Sequence, residues 1–296
     1  MKTISVIIPS YNRVQELEQV LDSYYAQDNV KEVIVVDDHS SQDYGPVIKK
    51  YKEKYPAVIT KYIRNEINSG AAASRNVGIK NATSDYILWG EDDAFLAYNY
   101  TKILLNFVNE KTVAFGSIYY RITPDMNQNV VDEIIASQQS CDRKLFDFAT
   151  FEGYYRLITN KTSVPYGHAL ILVNKTIYND VQYYEGYRVN GYREETDAQV
   201  QMLKMGVDIQ YICDAQCYHF PPRKGGQHTS RVIKSDLYKI RNNNIFWNRH
   251  YAFLKEKYSL KRGKFIMKSD FILYVLKIHL KGLFYRIKRI RSVQKN

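Results

Sequence analysis

Asp85-Tyr86-Ile87-Leu88-Trp89-Gly90-Glu91-Asp92-Asp93 decides how this chain reads. Its first part is an apolar run of strand length, and its last three residues are acidic. Three adjacent carboxylates at the end of a buried strand repel one another and lose hydration. Such a cluster persists most easily when a cation neutralises it. Hard divalent ions such as Mg²⁺ and Mn²⁺ take carboxylate oxygens and share the rest of their shell with water and substrate phosphates. The acidic turn therefore reads as a metal–phosphate site, against the plainer alternative of a solvated turn.

The segments on either side extend this reading. Residues 3–8 are a short apolar run ended by Pro9-Ser10, a pattern expected of a buried parallel strand. Asn12 or Ser10 is placed to cap the following helix, with Val14, Leu17, Val20 and Leu21 on one face. The pattern then predicts a strand over 32–36, a helix over 47–54, a strand over 58–63, a helix over 71–80 entered through Asn68-Ser69-Gly70, the strand over 86–89, and a helix over 100–108. Strands alternating with helices imply an α/β fold with a Rossmann-like, mainly parallel sheet flanked by helices. Ligands in such folds bind outside the carboxyl ends of the strands, where both Asp38 and residues 91–93 fall. After a strand over 113–119 the order weakens. Residues 121–165 are polar and aromatic with little periodicity and read as irregular structure over the site. Strand character returns over 167–173, helical spacing over 195–205, and strand character again over 207–212 and 211–218.

At 296 residues the chain can bury a full core as one large domain, or one domain with an appendage. The net charge of +11 is unevenly spread. Residues 221–296 hold 20 Lys+Arg and 3 Asp+Glu, a net of +17. Residues 1–220 hold 22 and 28, a net of −6. The basic excess thus belongs to the C-terminal stretch, which implies a partner of its own. The three cysteines, Cys141, Cys213 and Cys217, match no zinc spacing and read as reduced, packed thiols of a cytosolic protein. The chain enters a strand from Met1 with no signal-peptide pattern. The 27 tyrosines offer flat apolar area with a polar tip, suited to sugar or base contacts as well as to packing.

Four segments stand in order: Ser5-Val6-Ile7-Ile8-Pro9-Ser10-Tyr11-Asn12-Arg13, Val35-Val36-Asp37-Asp38-His39-Ser40, Asn68-Ser69-Gly70-Ala71-Ala72-Ala73-Ser74-Arg75-Asn76-Val77-Gly78, and Glu91-Asp92-Asp93. The series resembles the nucleotide-sugar half of family 2 glycosyltransferases with the GT-A fold, closely over 3–120 and more loosely over 160–220. The resemblance implies a catalytic domain over 1–220, with nucleotide-sugar binding in 1–120 and the acceptor part and general base in 121–220. A basic, aromatic helical extension would follow over 221–296.

The resemblance also implies roles. Pro9 and Tyr11 would wall the base, and Arg13 would join them at the nucleotide sugar. Asp38 would accept a hydrogen bond from a base N–H such as that of uracil, with turn capping as the alternative. Gly70 would let the backbone approach phosphate at a helix N-terminus, and Arg75 would reach the diphosphate. Glu91–Asp93 matches the acidic motif usually written Asp-X-Asp, with Glu in first place. Asp93 is the favoured ligand of Mn²⁺ or Mg²⁺, Glu91 a further one, and Asp92 faces ribose or the metal's water. His219 is a metal or phosphate contact, with His228 as the weaker choice, and Arg223 and Lys224 would meet the diphosphate from a loop. The Arg193-Glu194-Glu195-Thr196-Asp197 segment matches the motif that supplies the general base in inverting members. Glu195 takes the base position, Glu194 stands beside it, and Asp197 is the backup. A helix with an acidic first turn matched to its dipole is the structural alternative.

Residues 271–291 are apolar and basic together. Only six apolar residues precede Lys277, too few to span a bilayer. They suit a helix on an anionic membrane surface, or one packed on the catalytic domain or a second subunit, leaving room for a homodimer. No nucleic-acid module is recognisable. The resemblance thus implies a metal-dependent, inverting transfer from a nucleotide sugar, UDP-linked by preference, to a glycan or lipid-linked acceptor at the cytoplasmic face of the membrane. The rivals are a GT-A-like nucleotidyltransferase, which needs a basic Gly-rich loop where Pro9–Arg13 stands, and a non-catalytic glycan-binding scaffold.

Overall fold

The computed structural model describes residues 2–139, 144–159, 161–187, 191–221 and 232–277. The first half alternates as its apolar runs predict: β1 (Ile4–Ser10), α1 (Val14–Tyr25), β2 (Val30–Asp37), α2 (Gly45–Lys54), β3 (Ile59–Arg64), α3 (Ala71–Asn81) and β4 (Tyr86–Trp89). Every residue of β4 and all but one of β1 are buried, as central strands of the sheet, with α1 and α3 packed on β1. The chain continues through β5 (Ala94–Leu96), α4 (Tyr100–Leu104), β6 (Thr112–Tyr120) and α5 (Gln128–Gln139). The short strands β7 (Phe146–Asp147), β8 (Glu152–Gly153) and β9 (Thr162–Ser163) lead to β10 (Ile171–Asn174), α6 (Glu194–Lys204), β11 (Asp208–His219) and α7 (Val232–Tyr258). Residues 264–277 form a further helix.

The main sheet runs β3-β2-β1-β4-β10-β6-β11-β5, with β9 paired to β11. β3, β2, β1 and β4 are parallel, and so are β6 and β11. β10 is antiparallel to both of its neighbours, as β5 is to β11. The sheet is therefore mixed around a parallel core.

Several local expectations change. α1 follows Arg13 with no side-chain cap. Asn12 instead sits at φ 52° and accepts the Ser41 N–H at 2.8 Å, tying the β1–α1 turn to the β2–α2 loop. The helix predicted over 100–108 ends at Leu104. The 121–165 stretch contains a helix, α5, which buries Val131 against Tyr119 and Ile122. The two strand segments predicted over 207–218 are one strand, β11, whose register shifts between Ile212 and Gln216. Gly116 faces that shift on β6. A Cβ there would lie 1.9 Å from the Ala215 carbonyl oxygen, so only glycine lets the strands pair past it.

The described part of 221–296 is integrated with the core rather than loosely appended. Phe246, Trp247 and Leu254 of α7, with Leu260 and Met267 beyond it, join the same buried cluster as the sheet. No helix among the described residues is long and apolar enough to cross a membrane. Cys213 and Cys217 are free thiols. Cys141 lies outside the described residues.

Candidate active site

The carboxyl ends of β1, β2 and β4, the end of β11 and the start of α6 surround a cavity of about 490 Å³. Pro9 and Tyr11 line it beside the β1 end, and Asp38 lines it beside the β2 end. The Asp38 carboxylate accepts the Ser69 N–H and the Asn65 side-chain amide, each at 2.9 Å, and the Gly70 N–H at 2.7 Å. Asp38 thus fixes the turn that launches α3. Gly70 makes that turn at φ 90°, a conformation glycine adopts without strain. Ala71, Ser74 and Arg75 carry the wall onward from it.

The acidic turn after β4 forms one side. Asp92 accepts the Ser10 hydroxyl at 2.8 Å and Arg13 Nη1 at 3.0 Å, and Arg13 also pairs with Asp93. Arg13 is thereby committed to the acidic turn. Burial, then the charge of Asp93, pushes Asp92 up to about 6 against the pull of Arg13. Glu91 is held well above the ordinary carboxylate range by burial first, and then by the charges of Glu195 and Asp93. One ligand atom each from Glu91, Asp93 and His219 lies within 4.8 Å of the others. His219 Nδ1 is 2.9 Å from the Phe220 carbonyl oxygen, a contact that places the proton on Nδ1. Its Nε2 faces Asp93, 3.5 Å from Oδ1. Two carboxylates and an imidazole nitrogen so aimed suit Mn²⁺ or Mg²⁺. Among the described residues, seven carboxylates and three guanidinium groups line the cavity, an excess of negative charge that a cation would offset.

The start of α6 faces this turn. Arg75, on α3, donates one Nη to Glu194 and the other to Glu195, with its guanidinium 5.6 Å from the Trp89 ring and 5.5 Å from that of Tyr183. A fork held on two carboxylates between aromatic faces is a fixed charge. The sequence reading assigned Arg75 to a diphosphate; in the structure its guanidinium is held by Glu194 and Glu195. Glu194 has a side chain only 4% exposed, and burial pushes it up to about 8 while Arg75 pulls the other way. The Glu195 side chain, 31% exposed, opens into the cavity.

Asp197 corrects the sequence reading. It lies outside the cavity and is fully buried against α7, accepting Arg249 Nε and His250 Nε2 at 2.7 Å and the Tyr187 hydroxyl at 2.8 Å. Burial alone would raise it, but the bonds from His250 and Arg249 prevail and hold it at about 2. Asp197 is therefore a structural anchor between α6 and α7.

Arg193, missed as a site residue, lines the cavity at φ 74°, a backbone region unfavourable for a side-chain-bearing residue. It is held by Glu152 at 2.9 Å, the Tyr166 hydroxyl at 3.1 Å and Asn243 Oδ1 at 3.3 Å. Tyr120 and His168 also line the wall. The sequence signal for Arg193 was its place directly before the acidic segment. Arg223, Lys224 and His228 lie outside the described residues.

Comparison with known proteins agrees with this arrangement. Residues 5–175, more than half of the chain, match the family described as Glycosyl transferase family 2. An uncharacterized glycosyltransferase of Haemophilus influenzae is 39% identical over 103 residues, which is 34% of this chain and 33% of that protein. A poly(ribitol-phosphate) beta-glucosyltransferase of Bacillus spizizenii is 36% identical over 126 residues, 39% of this chain and 19% of that protein. The matches thus span a third or less of these relatives. Among solved structures, Staphylococcus aureus TarS in complex with UDP-GlcNAc aligns with a TM-score of 0.58 at 20% identity, over 93% of this chain and 82% of that one. GalNAc-T7 with UDP, GalNAc and Mn²⁺ aligns at 0.63 with 15% identity, over 89% and 52%. With the family match covering both the acidic turn and the strands that carry it, this chain is a member of glycosyl transferase family 2, an enzyme class that transfers sugars, built on the GT-A fold.

Proposed function

We propose that this enzyme moves a sugar from a UDP-sugar to a hydroxyl of a glycan or lipid-linked acceptor, with divalent-metal assistance and inversion at the anomeric carbon, in polysaccharide or glycoconjugate assembly. One observation carries the reading. The Glu91–Asp93–His219 ligand set and the single exposed carboxylate of the α6 segment, Glu195, line the same cavity.

Each residue has work to do there. Pro9 and Tyr11 flank the uracil, and Asp38 shapes the turn beneath it. Asp93, with Glu91 and His219, would hold Mn²⁺ or Mg²⁺, while Arg13 and Ser10 keep Asp92 and Asp93 aimed. A divalent ion at this position supplies charge stabilisation to the departing diphosphate. Glu195 accepts the proton of the acceptor hydroxyl as its oxygen bonds to the anomeric carbon and the bond to the diphosphate breaks. Arg75 fixes the carboxylate that does this. The bound UDP-sugar of the TarS structure, and the UDP and Mn²⁺ of the GalNAc-T7 structure, support the donor and metal classes.

Peripheral attachment to an anionic cytoplasmic membrane surface belongs to the same proposal. Phe265, Ile266, Leu273 and Leu276 are exposed on the helix over 264–277, within a strongly basic stretch. Ile266→Glu combined with Leu273→Glu is expected to release the protein from phosphatidylglycerol vesicles; unchanged binding would remove this part of the reading.

Thermal stabilisation across nucleoside diphosphates tests the donor class, with Mn²⁺, Mg²⁺ or chelator present. A shift with UDP that chelator abolishes is the expected result. A UDP shift indifferent to chelator would remove the metal from the account, and no shift with any nucleotide would remove the donor site.

A further inference from the structure

Beside the donor cavity lies a second one of about 570 Å³, walled by residues 149–156, by α7 and by the helix over 264–277. Glu152, Gly153, Tyr192 and Arg193 line both, so the two cavities share a wall. We propose that this second cavity is an acceptor subsite that holds the uncharged sugar units preceding the hydroxyl to be glycosylated. This deepens the transferase reading and rests on it.

Three observations carry the proposal. The first is position. The two cavities adjoin at Glu152, Gly153, Tyr192 and Arg193, so the second lies next to the space that Glu195 faces, where the non-reacting end of an acceptor would extend. The second is the lining. Tyr274 contributes to it, as do Tyr192 and Phe271, whose rings stack at 5.3 Å, with the buried Trp247 behind them. Flat apolar rings suit the C–H faces of pyranoses. Tyr274 remains 58% exposed, so its ring is open to a ligand at the rim.

The third observation is charge. Glu152, Asp236 and Asp270 are balanced within the lining by Arg156, Arg193 and Lys239. Within the lining Arg193 binds Glu152 at 2.9 Å and Lys239 binds Asp236 at 3.2 Å, while Asp270 pairs with Arg262, which stands outside the lining. A repeating phosphate polymer needs a surplus of positive charge along its path. Among the described residues the lining charges balance, so the cavity fits a neutral glycan better than the poly(ribitol phosphate) named for the Bacillus spizizenii relative.

The test uses the full chain with the UDP-sugar that supports UDP release. Transfer is measured to neutral oligosaccharides of one to five units, and to poly(ribitol phosphate). The expected result is a kcat/KM that rises about 10-fold between one and three neutral units through a falling KM. Tyr274→Ala should erase that rise, and Tyr274→Phe should retain it. A kcat/KM independent of length, a preference for poly(ribitol phosphate), or a Tyr274→Ala enzyme with the wild-type length dependence would each overturn the proposal. Failure of the underlying transferase reading shows itself separately, as absence of metal-dependent UDP binding in the wild-type protein.

Discussion

The two acidic segments, Glu91-Asp92-Asp93 and Glu194-Glu195-Thr196-Asp197, look alike in sequence and behave differently in space. The first is a turn after a strand, and all three of its carboxylates line one cavity, two of them gathered on Arg13. The second opens a helix, which advances 100° per residue and so deals its acids to different surroundings. Glu194 is buried on Arg75, Glu195 opens to the donor cavity, and Asp197 faces away onto α7. A turn concentrates charge for a cation. A helix start isolates one carboxylate, which is what proton transfer at a single hydroxyl requires.

The sharpest way to break this contrast is Glu195→Gln. It is expected to lower kcat by roughly 10³-fold while leaving UDP affinity intact by calorimetry, since only the base is removed. A loss confined to donor affinity would move Glu195 to the other side of the comparison. Asp93→Ala comes next, with an expected fall in UDP affinity of about 100-fold and loss of the chelator-sensitive thermal shift. Retention of that shift would take Asp93 out of the ligand set.

Asp197→Asn sharpens the distinction within the second segment. The Asp197 carboxyl drops from 3.8 to about 2 on folding, which corresponds to a contribution on the order of 2 kcal/mol. Because the folded value is the lower one, this contribution is present above about pH 4 and is lost as pH falls through 2. Urea unfolding should therefore show the variant weaker by that amount at pH 7 and nearly equal to wild type near pH 2, with kcat of the folded enzyme little changed. A dead but stable Asp197→Asn enzyme would return Asp197 to the active site. The smallest expected effect is that of Arg75→Lys. Loss of the two-pronged contact should cost about 10-fold in kcat, or ~1.4 kcal/mol, with the pH–rate profile displaced because the charge beside Glu195 is less fixed. Unaltered kcat and profile would reduce Arg75 to packing.

Much of the N-terminal half was legible because buried parallel strands are written as apolar runs, and β1, β2 and β4 are such runs. Residues 121–220 hide their order. α5 runs from Gln128 to Gln139, is largely polar and buries Val131, so its periodicity is faint. The partnership of Arg75 with Glu194 and Glu195 spans 119 and 120 residues of sequence, and no local pattern can announce it. Helix geometry already separates the backup candidate, Asp197, from Glu195, because two residues apart on a helix they cannot share a face. Arg193 was visible as a neighbour of the motif, but its link to Glu152 and Asn243 required the fold.

The central claim is that, of the two carboxylates of the second segment that line the cavity, only the partly exposed one, Glu195, acts, and acts once, as a base. Proton NMR of the sugar released by slow hydrolysis of the UDP-α-sugar identified in the binding panel, read before mutarotation, tests this without requiring the natural acceptor. The account expects the β-anomer as the first product, and first formation of the α-anomer would contradict it.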